Sequence, residues 1–414
     1  MSQHRSNKNP RRQRPKPDLS RIHARQSHKY ADDPTKNPQA GDSNPVNLDQ
    51  QLAQASHSKS EMNRHGSSNQ VIVSRRFDLI AGGGLSLVVA AVVIALSWSS
   101  PSGAGTFLLA IELYLFTDLF INGPHFMASY RLLYSRRTNF RKHPLVTLAF
   151  PFLAGIFLAY IIYCSYQQDA QDPLGIMGIL TLIAPVVLAW HYTGQSWGTT
   201  ACFAHLSGLT IRPKHRRLIR GGFLTLFIYH VAWAYDSTGI IQNTLSEQEA
   251  GEYLMRSIMS LCRVVVAAGF IAGLFGFWDL SKQTGKRVPI RTWLPWAGTF
   301  SWYVMVDLNP ASFFLLQFFH AFQYLMFPLR VELNDYAPKS NAFRHLIFYY
   351  VTLVSLGYLA FEWSSFDSIP KQLIPAGTAM MMMINLHHYF IDAVIWKIRE
   401  PEVRKSLFGH LTPN

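Results

Sequence analysis

Four short motifs place histidines inside apolar stretches: DLFINGPHF (118–126), WHYTGQSWG (190–198), FFHAFQYLMF (318–327) and LHHYFID (386–392). An ionisable side chain in hydrocarbon is costly, so such residues mark function by default. Imidazole is the commonest nitrogen ligand for iron, copper and zinc. His125, His191, His320 and His388 are therefore the candidate metal ligands, with His387 and Asp118 as further candidates. A ligating histidine usually gives its second N–H to a carboxylate or carbonyl oxygen. Asp392 lies one helical turn from His388, and Gln195 one turn from His191, so both have the type and spacing for that task. Asp118, Asn122 and His125 share one helical face, which makes Asp118 either a ligand or an orienting group for His125. Tyr324, one turn beyond His320, could hydrogen-bond substrate or dioxygen; with Asp392 and Gln195 it completes the candidate catalytic set. Adjacent helical residues point about 100° apart, so His387 and His388 do not both face one ion readily, and Asp392 favours His388.

These motifs need long helices to carry them. From Asp78 onward, apolar stretches of roughly membrane-spanning length, about 20 residues, recur. Ten segments emerge, near 78–98, 105–130, 145–165, 174–205, 221–240, 257–280, 293–307, 311–329, 345–363 and 372–397. The seventh and eighth meet at Asp307–Leu308–Asn309–Pro310, so that pair reads either as two spans or as one broken helix with a re-entrant piece. The loops after the even segments hold 20 Lys or Arg, and the opposite loops hold two, Arg256 and Lys371. Positive loops stay in the cytoplasm. Both termini are thus expected there, and four of the five segments running inward carry a histidine motif.

Residues 1–76 differ in kind. They contain 14 Lys or Arg against 6 Asp or Glu and few large apolar residues, while the whole chain has a net charge of +14. Such a segment cannot offset its ordering entropy by burial, so a disordered basic cytoplasmic tail is expected. It lacks the apolar core of a secretory signal; its charge allows attraction to anionic lipid or nucleic acid, or a solvated extension that helps fix topology. The reading gives three parts: the tail 1–76, an all-α polytopic membrane domain 77–400, and a short cytoplasmic tail 401–414. Cys164, Cys202 and Cys262 have no CxxC spacing, which gives no case for a zinc knuckle or a disulfide framework. No CxxCH occurs, so any haem would be bound without a covalent link. His230, on a helix running the other way, reads as a structural hydrogen-bonding residue or a fifth ligand. Arg263 reads as snorkelling outward or as a partner for Glu112 or Asp307. His143, His205, His215 and His345 read as interfacial, and Met380–Met383 as packing.

The ending HHYFIDAVIWKIREP, with HYTGQSWG and HAFQY upstream, resembles bacterial polytopic membrane proteins of the enediyne-biosynthesis-like group. The resemblance covers most of 105–400 and implies a bacterial cell membrane. In general plan only, the chain also resembles the Brp/Blh-type membrane carotene dioxygenases, and that resemblance implies iron held by membrane histidines. The function expected is a membrane oxidoreductase with non-haem iron, acting on a lipophilic substrate such as an isoprenoid or lipid. It would work with an electron donor and without specific nucleic-acid binding. A haem protein carrying electrons and a proton- or metal-coupled transporter are the alternatives, and a receptor or scaffold would leave the histidines dispensable.

Overall fold

The computed structural model describes residues 70–99, 116–167, 173–239, 248–337, 340–363, 369–398 and 400–411. The chain divides into two units, Met1–Glu61 and Met62–Asn414, and all of the first lies outside the described residues. So do the rest of the basic tail up to residue 69, and Glu112. Among the described residues every regular element is helical.

Helix α1 covers Arg75–Ser99. Its start is fixed by local chemistry. The Ser74 hydroxyl accepts from the Phe77 N–H at 3.2 Å, satisfying one of the donors that a helix start leaves unpaired. Buried Asp78 accepts from the N–H groups of Ile72 and Val73 at 2.7 and 3.0 Å. Arg330 donates to the Ile72 carbonyl and Arg291 to that of Gln70, so the residues entering α1 are tied to later helices. Gly83 takes φ 138°, and a Cβ there would lie 2.4 Å from the Leu294 carbonyl oxygen. Only glycine permits both that backbone angle and that approach.

Helix α2 covers 118–135, a π-type turn Asp118–Asn122 running into Gly123–Ser135. The short α3 (Arg137–Lys142) leads to α4 (Leu145–Tyr166). Helix α5 (Pro173–Leu206) has 34 residues, so it is about 51 Å long at 1.5 Å per residue. Then come α6 (Pro213–Ser237), α7 (Gln248–Thr284) and α8 (Ile290–Leu308). Asn309 leaves the helical region at φ −150°, and its side chain accepts from the Ala311 N–H at 3.0 Å. Pro310 has no N–H to continue the ladder. The chain therefore starts a new helix, α9 (Pro310–Asp335), and the seventh and eighth predicted segments are two helices. α10 (Ala342–Glu362), α11 (Ile374–Ile395) and the short α12 (Pro401–Phe408) complete the order. The Asn334 amide donates to the Ser406 carbonyl at 2.7 Å and seats α12 on the end of α9.

Among the described residues, five helices are long and apolar enough to cross a membrane: α1, α4, α9, α10 and Glu249–Thr284 of α7. Helix α11 carries polar site residues that lower its apolar window, and α2 and α5 begin beside residues outside that description. The largest core gathers Trp296, Phe300 and Trp302 of α8, Phe223 and Leu226 of α6, and Leu316 and Phe319 of α9. A second close approach bears on the site. A Cβ on Gly357 of α10 would lie 2.8 and 2.9 Å from the Gly123 carbonyl carbon and Cα on α2. The two backbones therefore touch where α2 turns toward its histidine, the close helix crossing that small residues permit.

Candidate metal centre

Four helices each deliver one imidazole to a common point. His125 comes from α2, His191 from α5, His320 from α9 and His388 from α11, and one nitrogen of each lies within 4.8 Å of the others. All four are buried, at 1, 5, 1 and 0% exposure. The rings meet edge to face. Centroids are 4.3 Å apart for His125 and His388, 4.7 Å for His191 and His320, and 4.8 Å for His191 and His388. His191 Nε2 and His320 Nε2 are 3.0 Å apart. Both nitrogens of His125, both of His388, and Nδ1 of His320 are buried and make no well-formed hydrogen bond. An unpaired buried polar atom costs about 1–3 kcal/mol, so five in one cluster call for a partner.

A metal ion fits those nitrogens. At metal–nitrogen distances of about 2.1 Å, two ligands at right angles lie about 3.0 Å apart and two opposite ligands about 4.2 Å. The observed spacing, from 3.0 up to 4.8 Å, closes onto that set with small ring movements. Neutral imidazoles suit iron, copper, nickel and zinc.

Aromatic rings wall the cluster. Tyr192 lies 4.2 Å from His320, Tyr389 4.6 Å from His191, Phe126 4.8 Å from His388 and Tyr324 4.8 Å from His125, measured between centroids. Asp392 sits at the edge of the group. Its Oδ2 is 3.6 Å from His388 Nε2 and 3.9 Å from His191 Nε2. Its Oδ1 accepts from the Tyr324 hydroxyl at 2.9 Å and the Ser129 hydroxyl at 3.1 Å. Those two hydroxyls are themselves 2.5 Å apart, and the Trp396 indole N–H donates to Tyr324 at 3.1 Å. One oxygen is thus held by donors, and the other turns to the imidazoles.

The remaining candidates stand elsewhere. His387 points away from the four. Its Nε2–H donates to the Val146 carbonyl at 2.7 Å, so its Nδ1 lone pair accepts the Tyr130 hydroxyl at 3.0 Å. Both nitrogens are occupied, and the ring stacks on Phe150 at 4.6 Å. Asp118 accepts from the Asn122 amide at 2.8 Å and is not among the grouped ligands. Gln195 does not reach the His191 ring. Its amide donates to the His320 carbonyl at 2.9 Å and to Gln323 at 3.3 Å, tying α5 to α9 beside the site. His230 pairs with the Tyr303 hydroxyl at 3.0 Å and Arg263 with Asp307 at 3.0 Å. His215, read as interfacial, is fully buried against Asp279 at 2.9 Å. The sequence reading did not single out Ser129, although it stands one turn after His125 on the same face.

A cavity of about 270 Å³ opens beside the group, with His191, Tyr324 and Asp392 in its wall. Comparison with protein-family models, curated proteins and solved structures finds no match to this chain.

Proposed function

We propose that this chain is a membrane-embedded, metal-dependent oxidoreductase, with non-haem iron as the metal and a lipophilic molecule as the substrate. The observation that carries the reading is the convergence of four buried imidazoles, from four helices, beside a cavity that reaches the same group. His125, His191, His320 and His388 would hold the ion. Bound iron would supply one-electron and dioxygen chemistry, with electrons from a separate donor. The protein's own part is positioning and exclusion of water. The rings of Tyr192, Tyr389 and Phe126 close the imidazoles off from solvent. Tyr324 and Ser129 fix Asp392 Oδ1, which leaves Oδ2 facing the imidazoles as the acceptor for a proton from the cavity. Four rings packed edge to face around one point favour a bare ion over a haem, whose macrocycle needs a slot between its axial ligands.

The reading takes ten spans with both termini in the cytoplasm. Its support is the 20 Lys or Arg in one set of loops against two in the other. A bacterial cell membrane is the setting that the sequence resemblance supports.

The test is metal content by plasma mass spectrometry, with an absorption spectrum, on full-length protein in mild detergent. One or two iron atoms per chain without a Soret band is the expected result. A Soret band would move the assignment to haem, and a folded chain with no metal after growth in replete medium would overturn it.

A further inference from the structure

The cavity beside the histidines has two chemically different ends. Trp197, Phe327, Tyr389, Trp396 and Leu407 give it a largely aromatic and aliphatic wall, and His191, Asp392 and Tyr324 stand in that wall. Its exposed margin includes Trp190 and Arg220. Arg220, in the second turn of α6, makes no side-chain ion pair or hydrogen bond among the described residues, as is also true of the exposed Arg216 and Arg217, whereas Arg131, Arg136, Arg263, Arg291 and Arg330 are paired. Gly194, exposed, and Gly198, one turn further along α5, both line the cavity, and a Cβ built on either meets nothing within 4 Å. Glycine in mid-helix costs about 1 kcal/mol relative to alanine. Here the two absent side chains leave volume in the cavity rather than allowing a helix crossing. An apolar chamber with one unpaired guanidinium at its mouth complements a molecule with a hydrocarbon chain and a negative head, because guanidinium binds carboxylate or phosphate through paired donors.

We propose that the cavity binds a single-chain amphiphile with an anionic head group, the head paired to Arg220 and the chain lying past Gly194 and Gly198 alongside His191 and Asp392. The proposal rests on the oxidoreductase reading only in calling this occupant the substrate; the binding stands without it. Carboxylate and phosphate heads share the required chemistry.

The cavity tryptophans supply the probe, since bromine quenches indole fluorescence on contact. Full-length protein in phosphatidylcholine nanodiscs would be titrated with a brominated long-chain fatty acid, the matching alkyl phosphate and the matching alcohol. The acid or the phosphate should quench saturably at roughly tenfold lower concentration than the alcohol, the scale of a charge-assisted pair. Whichever anion binds more tightly names the head group. Arg220→Gln should erase the anion's advantage, and Arg220→Lys should keep part of it. Arg217→Gln, at a neighbouring arginine that does not line the cavity, should change nothing. Gly198→Leu should abolish saturable quenching by all three. Equal binding of alcohol and acid, or full anion preference in Arg220→Gln, would overturn the proposal. Metal content measured on the same samples separates the two claims. Charge-selective quenching in metal-free protein would sink the oxidoreductase and leave this site standing, and iron-loaded protein that binds no anion would do the reverse.

Discussion

His387 and His388 are neighbours in sequence with opposite surroundings, so replacing each with alanine tests the site sharply. His387→Ala removes a donor to the Val146 carbonyl, an acceptor for the Tyr130 hydroxyl, and a ring stacked on Phe150 at 4.6 Å. Each hydrogen bond contributes about 0.5–1.5 kcal/mol, and the stack about as much. The fold should therefore lose roughly 2–4 kcal/mol while metal content stays at the wild-type level. His388→Ala removes a ring whose two nitrogens have no hydrogen-bond partner in the protein. After chelator treatment, this variant should unfold at a higher temperature than the equally treated His387→Ala. It should also hold far less metal. Changing a residue that merely supports a ligand costs about 10–100-fold in affinity, and loss of a ligand should exceed that. The assay is metal content by plasma mass spectrometry and thermal unfolding at one scan rate, with and without chelator. The assignment fails if His387→Ala loses metal as completely as His388→Ala, or if His388→Ala retains a full complement.

Gly357→Ala would drive a methyl to within 2.8 Å of the Gly123 backbone, two residues before His125. Separation of α10 from α2 should cost about 1–3 kcal/mol and weaken metal retention although no ligand has changed; wild-type retention at an unchanged unfolding midpoint would show that this contact does not position His125. Tyr324→Phe deletes the 2.9 Å bond to Asp392 Oδ1 and leaves all four imidazoles in place. It should keep metal while lowering turnover about 10- to 100-fold, and metal loss on the scale of His388→Ala would mean that Tyr324 acts on the ligand shell instead. Outside the spans, the hydrogen bond from Lys142 at 3.0 Å holds the Glu402 carboxyl below the usual glutamate range. A depressed folded-state value stabilises the seating of α12 above about pH 4.3, and the benefit disappears as pH falls through the lowered value. A carbon NMR titration of Glu402 should read below the ordinary glutamate value in the native chain and rise in Lys142→Gln; equal values in the two proteins would contradict the pairing.

The four ligand candidates were legible because polar residues stand out within apolar segments. Helical spacing also ranked His388 above His387, and Asp392 does face the His388 ring. Partners contributed by a second helix were not legible. Gln195 has the right offset from His191, yet α9 offers it the His320 carbonyl and Gln323, and no pattern within α5 announces that. Val146 and Tyr130 likewise take His387 from two other helices. Helix existence followed from apolar length, and the break at Asn309–Pro310 from a missing donor and a capping side chain. Which helices touch was not readable from either.

The glycines carry that difference furthest. Gly123, Gly194, Gly198 and Gly357 all lie within helices, and each carries the same conformational cost. Helix propensity alone does not separate the four. The structure divides them. At Gly357 an added methyl meets another backbone, so hydrogen there is needed for α2 and α10 to approach and for His125 to arrive. At Gly194 and Gly198 an added methyl meets nothing, so packing gives no reason for glycine. Alanine at these two positions should raise helix stability by up to about 1 kcal/mol each, and the cost should appear only as lost cavity volume. A chain selected for stability alone would fill those positions. Gly155 and Gly221 are equally open within their helices, so what sets Gly194 and Gly198 apart is their place in the cavity wall with His191 and Asp392, where the proposed occupant would lie. Gly194→Ala and Gly198→Ala therefore make a paired test, in which higher unfolding temperature should accompany weaker quenching by the brominated acid. Higher stability with unchanged binding would remove the glycines from the argument for that site.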